Sequence, residues 1–256
     1  MKKLALAILR KLITLIFRFI TWPARVNLIM EMTSIAARNC APLDRLKLLF
    51  DLDNRLYNLQ SQAARDYGGG IHTKHGHLRY HDFFCSQVRP GERLLDIGCG
   101  NGFMDYDLVT KVENLTVVGI EIDPGNVEFA RRHYVHPNLT IVQGDVLSGF
   151  PDGKFDVVTL SNVLEHIEDR VGLLGRICRQ LKPRRIVIRV PTFERDWRVP
   201  LKEEVGKDYR LDPTHFIEYT EESFILEMKQ AGLKVVQMTA KWGEFWVVVE
   251  PTGVRL

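Results

Sequence analysis

Between Leu4 and Thr21 the apolar and polar positions separate at helical intervals. Leu4, Ile8, Leu12, Leu15, Ile16 and Phe19 fall on one face, and Lys3, Arg10, Thr14, Arg18 and Thr21 on the other. Pro23 ends this pattern near Trp22. Two further stretches with helical spacing follow, about 26–39 and 43–64, the second carrying Leu46, Leu49, Leu56 and Leu59. Gly68-Gly69-Gly70 then opposes both helix and strand and marks a boundary. From Glu92 short apolar runs alternate with helix-like stretches. Strands are predicted at Arg93–Ile97, Leu115–Glu121, Leu139–Gln143, Phe155–Ser161 and Arg184–Val190. The run Val157-Val158-Thr159-Leu160 suits a strand buried on both faces. Helices are predicted over Phe103–Lys111, after Asp123-Pro124, and through Val171, Leu174, Cys178 and Leu181. Thr220 opens a last helix with Glu221 and Glu222 in its first turn, Phe224, Met228 and Ala231 on its buried face, and Gly232 at its end. Two strands, about Leu233–Lys241 and Phe245–Glu250, close the chain across Trp242-Gly243-Glu244 as an antiparallel pair. The alternation predicts an α/β fold. It is a doubly wound, seven-stranded sheet, mostly parallel with an antiparallel final strand, preceded by a helical N-terminal segment.

Composition narrows the picture. The 256 residues are 45% apolar and 26% charged, which is ordinary for a globular chain with one full domain and an appendage. The net charge is only +3, yet residues 1–38 hold seven Lys or Arg against one Glu, so the remainder sums to −3. No nucleic-acid partner is expected of such a main domain. The N-terminal helix resembles a basic, interfacial membrane anchor; the bland alternative is packing on the protein itself or on a partner subunit. Arg10, Lys11 and Arg18 interrupt any membrane-spanning window, and the short apolar run with no small-residue cleavage site argues against a secretory signal. Cys40, Cys85, Cys99 and Cys178 are scattered without a C-x-x-C pair, which fits packing residues in a reducing compartment. The expected organisation is an amphipathic helix at 1–24, a helical extension and cofactor-site cover at 25–89, and a main domain at 90–256 with a lid-like insert at 191–220.

The strongest chemical signal is Asp96-Ile97-Gly98-Cys99-Gly100-Asn101-Gly102, placed between a predicted strand and a predicted helix. Glycines let a ligand approach the backbone there. A dinucleotide fingerprint would be G-x-G-x-x-G; this loop is G-x-G-x-G, with Phe103 in the sixth position. Asp96 suits a ligand with a cationic end, such as an amino acid moiety, and is awkward beside a pyrophosphate. This D-x-G-x-G-x-G loop resembles the cofactor motif of the class I S-adenosylmethionine-dependent methyltransferases, and the fold is then Rossmann-like. The resemblance extends over about residues 90–250. It implies cofactor contacts from Asp96, Gly98, Gly100 and Gly102, from Glu121 at the ribose, from Asp145 at the adenine amino group, and from Ile122, Val146 and Asn162. The run Ser161-Asn162-Val163-Leu164-Glu165-His166 is similar to the small-molecule and quinone-pathway branch, and places Asn162 at the same rim.

Two histidines are candidates for proton transfer from the acceptor. His166 lies just past the fourth strand; His215 lies in Asp212-Pro213-Thr214-His215-Phe216, which resembles a stretch before the family's last helix. His72, His75, His77 and His81 lack a metal-ligand spacing and suit the cofactor cover instead, so no metal is expected. The expected function is S-adenosylmethionine-dependent methyl transfer to a small-molecule, lipid-linked or glycan-precursor acceptor. The expected place is cytoplasmic, peripheral at the inner membrane face through residues 1–22. Two alternatives stay open: a non-catalytic cofactor-binding subunit, and a nicotinamide-dependent oxidoreductase, against which Asp96 and the missing sixth-position glycine count. The oligomeric state is not legible.

Overall fold

A computed structural model describes residues 2–253; side chains of Lys2, Lys3, Ala5, Leu6 and Leu9 lie outside that description, so the charges expected at Lys2 and Lys3 rest on the sequence. The chain divides into two compact units, residues 1–61 and 62–256. The first unit is helical: α1 (Lys2–Phe19), α2 (Trp22–Arg38) and most of α3 (Pro42–Tyr67). Its apolar side chains are largely exposed, among them Phe19 at 81% and Trp22 at 75%. No helix of the described residues is long and apolar enough to cross a membrane.

The second unit is built on one seven-stranded sheet in the order β3-β2-β1-β4-β5-β7-β6. The strands are β1 (Arg93–Ile97), β2 (Thr116–Glu121), β3 (Leu139–Gln143), β4 (Val157–Ser161), β5 (Arg185–Pro191), β6 (Leu233–Lys241) and β7 (Glu244–Pro251). All pairs among β1 to β5 are parallel, and β7 runs antiparallel between β5 and β6. Every residue of β5 and the first four of β4 are buried, which is why, Arg185, Arg189 and Thr159 apart, these runs are apolar without alternation.

Short helices α4 (Lys74–Leu78) and α5 (Tyr80–Ser86) precede β1, and α6 (Phe103–Lys111), α7 (Pro124–His133) and α8 (Arg170–Arg176) follow β1, β2 and β4. Asp123 caps α7 through its side chain, with Pro124 in the first turn. The helix expected through Leu181 widens instead: α8 ends at Arg176 and a π turn carries Ile177–Leu181. The insert at 191–220 contains a 3-10 turn (Phe193–Arg195) and an α-helix, α9 (Arg198–Glu204), and Thr220 and Ser223 form a reciprocal capping box at the start of α10 (Glu221–Gln230).

One core face gathers Leu95, Ile97, Leu160, Ile188, Phe224 and Val247; the opposite face gathers Phe84, Leu94, Leu108, Val117, Val157 and Trp246. Strand order reverses between β1 and β4, so their carboxyl ends form the crevice where a ligand is held in such sheets.

Candidate active site

The loop after β1 takes the conformation its glycines predict. Gly98, Gly100 and Gly102 have φ of 70°, 56° and 77°. At two of them the neighbours are protein: a Cβ on Gly98 would come within 2.5 Å of Val163, and one on Gly102 within 2.9 Å of Ala130. A Cβ on Gly100 would meet nothing within 4 Å. Gly100 therefore lets the backbone border open space, a cleft of about 160 Å³ that Asp96, Asn101, Phe103 and Ser161 also line.

Glu121 ends β2 and is nearly buried, its two oxygens accepting from Gly100 N and Asp123 N, each at 2.8 Å. Each oxygen keeps a further lone pair for a ligand hydroxyl. Ile122 beside it is 65% exposed, an apolar side chain offered to the crevice rim. After β3, one Asp145 oxygen accepts from Leu147 N at 2.8 Å, and the Val146 carbonyl accepts from Arg176 at 2.9 Å. Asp96 is buried and accepts the Thr159 hydroxyl at 2.5 Å; burial lifts its carboxyl to about 6, opposed by hydrogen bonds from Asp105 and Thr159. The residues predicted to hold the cofactor thus lie along the ends of β1, β2, β3 and β4. Their chemistry fits an adenosyl amino acid: a carboxylate for an ammonium, a second carboxylate for hydroxyls, and glycine backbone between them.

The expected histidine cover reaches this cleft through two residues. His75 and Tyr80 line it, with Tyr80 Oη 2.5 Å from His75 Nδ1. His81 turns instead toward Asp107 at 2.8 Å. Burial pushes His75 down to about 4, helped by neighbouring positive groups, so the ring is neutral. Beneath Tyr80 lies a pair the sequence did not announce. Arg189 on β5 is 2% exposed, donates to both oxygens of Glu244 at 2.7 and 2.8 Å, reaches Ser161 Oγ at 3.1 Å, and sits 3.7 Å from the Tyr80 ring centre.

The two histidine candidates meet. The rings of His166 and His215 are 4.5 Å apart and edge-to-face. His166 Nδ1 lies 2.8 Å from Thr214 Oγ1, and that hydroxyl donates to Asp212 at 2.7 Å. The threonine proton is therefore committed, His166 Nδ1 is the donor, and Nε2 keeps the lone pair. Burial holds His166 below its ordinary value and His215 down at about 4, so both are neutral near pH 7. Asn162 adopts φ of 56° and its buried Oδ1 has no partner.

Glu165 is fully buried; neither carboxylate oxygen has a hydrogen-bond partner, and burial lifts it to about 8. Glu165, His166 and His215 each offer an atom within 4.8 Å of the others, a grouping able to hold a divalent cation.

Residues 95–188 match the family described as "Methyltransferase domain". The chain is 27% identical over 168 residues to a ubiquinone biosynthesis O-methyltransferase of Rhodopseudomonas palustris, covering 59% of this chain and 65% of that one. It is 30% identical over 138 residues to a phosphoethanolamine N-methyltransferase of Triticum aestivum, covering 52% of this chain and 27% of that one. It thus spans less than two thirds of either relative. Among solved structures, the magnesium protoporphyrin IX methyltransferase of Synechocystis with bound SAH superposes with a TM-score of 0.54 at 18% identity, covering 68% of this chain and 83% of that one. The sheet order, the glycine cradle and these matches agree: residues 95–188 form a methyltransferase domain, and the second unit has the Rossmann-like fold of the class I S-adenosylmethionine-dependent methyltransferases.

Proposed function

We propose that this chain transfers a methyl group from S-adenosylmethionine to an oxygen or nitrogen of a small-molecule or lipid-linked acceptor, and that His166 takes the acceptor proton. Asp96 faces the cofactor's ammonium, Glu121 its ribose hydroxyls, Ile122 and Val146 its adenine, and Asp145 the adenine amino group. The cofactor supplies an already activated methyl on a sulfonium. What remains for the protein is to align the acceptor, exclude water and receive a proton. His166 is built for the last task, because the Asp212–Thr214–His166 chain fixes the tautomer with Nε2 unprotonated. That chain is the observation carrying the proposal. General-base assistance of this kind is worth about 10²–10⁴-fold. His215, packed on His166, holds its ring in place and borders the acceptor.

The relatives' printed activities span O- and N-methylation of small molecules, which supports that acceptor class without choosing a member. The basic, apolar-faced helices of residues 1–38 support reversible residence on an anionic, cytoplasmic membrane face, where a lipid-linked acceptor would be met. The experiment is transfer of labelled methyl from S-adenosylmethionine into fractionated cell lipids and metabolites. Label in one fraction that disappears with His166→Ala supports the reading. Bound cofactor with no transfer to any fraction would make this a non-catalytic subunit.

The grouping of Glu165, His166 and His215 favours a second reading, in which a divalent cation held there would polarise the acceptor oxygen. Chelator treatment separates the two: activity lost and restored by added metal supports the cation, and activity unchanged supports the base alone.

A further inference from the structure

Asp105 lies in the first turn of α6, where a carboxylate is ordinarily read as a partner for the helix dipole at the surface. Here it is fully buried, and neither oxygen finds a conventional donor. The sheet explains its position. β1 and β2 pair with Asp96 opposite Gly119, so the two Cβ positions share one face. Gly119 has no side chain, and a Cβ there would come within 2.4 Å of Asp105 Oδ2 and 2.7 Å of Cys99 Sγ. Asp105 thus fills the space that a side chain at 119 would take, beside Asp96.

Two carboxyl groups in one water-free space cannot both carry charge cheaply. The groups that face them from each neighbouring element are Thr159 on β4, Cys99 in the loop, Glu121 at the end of β2 and Tyr80 on α5. Among the described residues no basic side chain pairs with either acid. Thr159 already donates to Asp96 Oδ1. What the pair lacks is a second donor, and a proton on Asp105 supplies it.

We infer that Asp105 keeps its proton in the folded protein and donates it to Asp96, as the positioning residue that holds Asp96 as one fixed negative charge beside the cofactor cleft. Asp96 lines that cleft; Asp105 lies behind it, beside Asp96, Cys99 and Gly119. Burial and the Asp96 charge both favour the protonated form of Asp105. The role at the cofactor rests on the proposed contact between Asp96 and the cofactor ammonium; the placement of the proton does not.

The sign of the effect on folding follows. Unfolded, Asp105 loses its proton near pH 3.9; folded, it keeps it, so stability drains as pH rises above that value. Asp105→Asn retains a donor and cannot ionise, so it escapes this loss. Its melting temperature should gain on wild type as the pH goes from about 5 to about 8, and its affinity for S-adenosylmethionine should stay within about threefold. Asp105→Ala, which has no donor, should bind at least about tenfold more weakly. In wild type labelled with ¹³C-aspartate, one protonated carboxyl resonance should persist at about pH 8, a test that needs no variant to fold. Parallel pH slopes for wild type and Asp105→Asn, or no such resonance, would overturn the inference. The resonance and slopes as expected, with no S-adenosylmethionine binding to wild type, would keep the proton on Asp105 and overturn the role given to Asp96.

Discussion

Gly100 N donates to Glu121 Oε2 at 2.8 Å, which ties the glycine loop after β1 to the acid that ends β2. The carboxylate assigned to the ribose is also the anchor of the cradle. Glu121→Ala should therefore weaken cofactor binding by about 1.5–3 kcal/mol for the charged acceptor alone, with a further loss from the freed Gly100 N–H. Glu121→Gln keeps one acceptor and should lose less. Calorimetric titration with S-adenosylmethionine checks the order; equal affinity in all three proteins would remove Glu121 from the site.

Protonation of His166 removes the lone pair on Nε2. Its proton affinity is already reduced by burial, so the acid limb of kcat should lie below pH 6.5, with a plateau above it. His166→Ala should lower kcat by about 10²–10⁴-fold, leave S-adenosylmethionine affinity nearly unchanged and abolish that limb. His215→Ala should alter acceptor KM more than kcat. An acid limb that survives in His166→Ala would exclude His166 as the base.

Arg189 and Glu244 are both buried, so neither charge can turn to water if its partner goes. Glu244→Ala should destabilise the fold by about 3–5 kcal/mol, the range for breaking a buried pair. Equilibrium urea unfolding measures it. A loss under about 1 kcal/mol would show that the pair behaves as a surface contact.

The glycine loop, the Asp123-Pro124 start of α7, the Thr220 cap and all seven strands were legible because each is written in local sequence. The fold's less local features were not. Asp105 reads as an ordinary first-turn acid, and only the missing side chain of Gly119 on the next strand buries it. Arg189 and Glu244 are 55 residues apart, and nothing near either names the other. His166 and Thr214 are 48 residues apart and meet because the insert at 191–220 folds back over the end of β4. Glu165 is polar in a polar run, yet the backbone bond from Phe216 N to its carbonyl at 2.8 Å closes the insert over it.

The proposed membrane affinity should reside in residues 1–24 alone. Leu12, Leu15 and Phe19 are exposed on α1, while Arg10, Lys11 and Arg18 supply charge. Each basic residue near anionic lipid contributes about 1 kcal/mol. The full chain should float with anionic liposomes at low salt and be partly released at high salt; deleting residues 1–24 should leave it in the soluble fraction with S-adenosylmethionine binding intact. Full-length protein that stays free of anionic liposomes at low salt would assign these helices to protein packing instead.

The central claim is that an adenosyl amino acid sits against Gly100. The left-handed φ of 56° and the open space before its Cα make this residue the most direct probe. Calorimetric titration of wild type and Gly100→Val with S-adenosylmethionine and with NAD tests it. The account predicts one S-adenosylmethionine per wild-type chain, none in Gly100→Val, and no NAD binding by either. S-adenosylmethionine affinity unchanged in Gly100→Val, or NAD bound in its place by wild type, would contradict it.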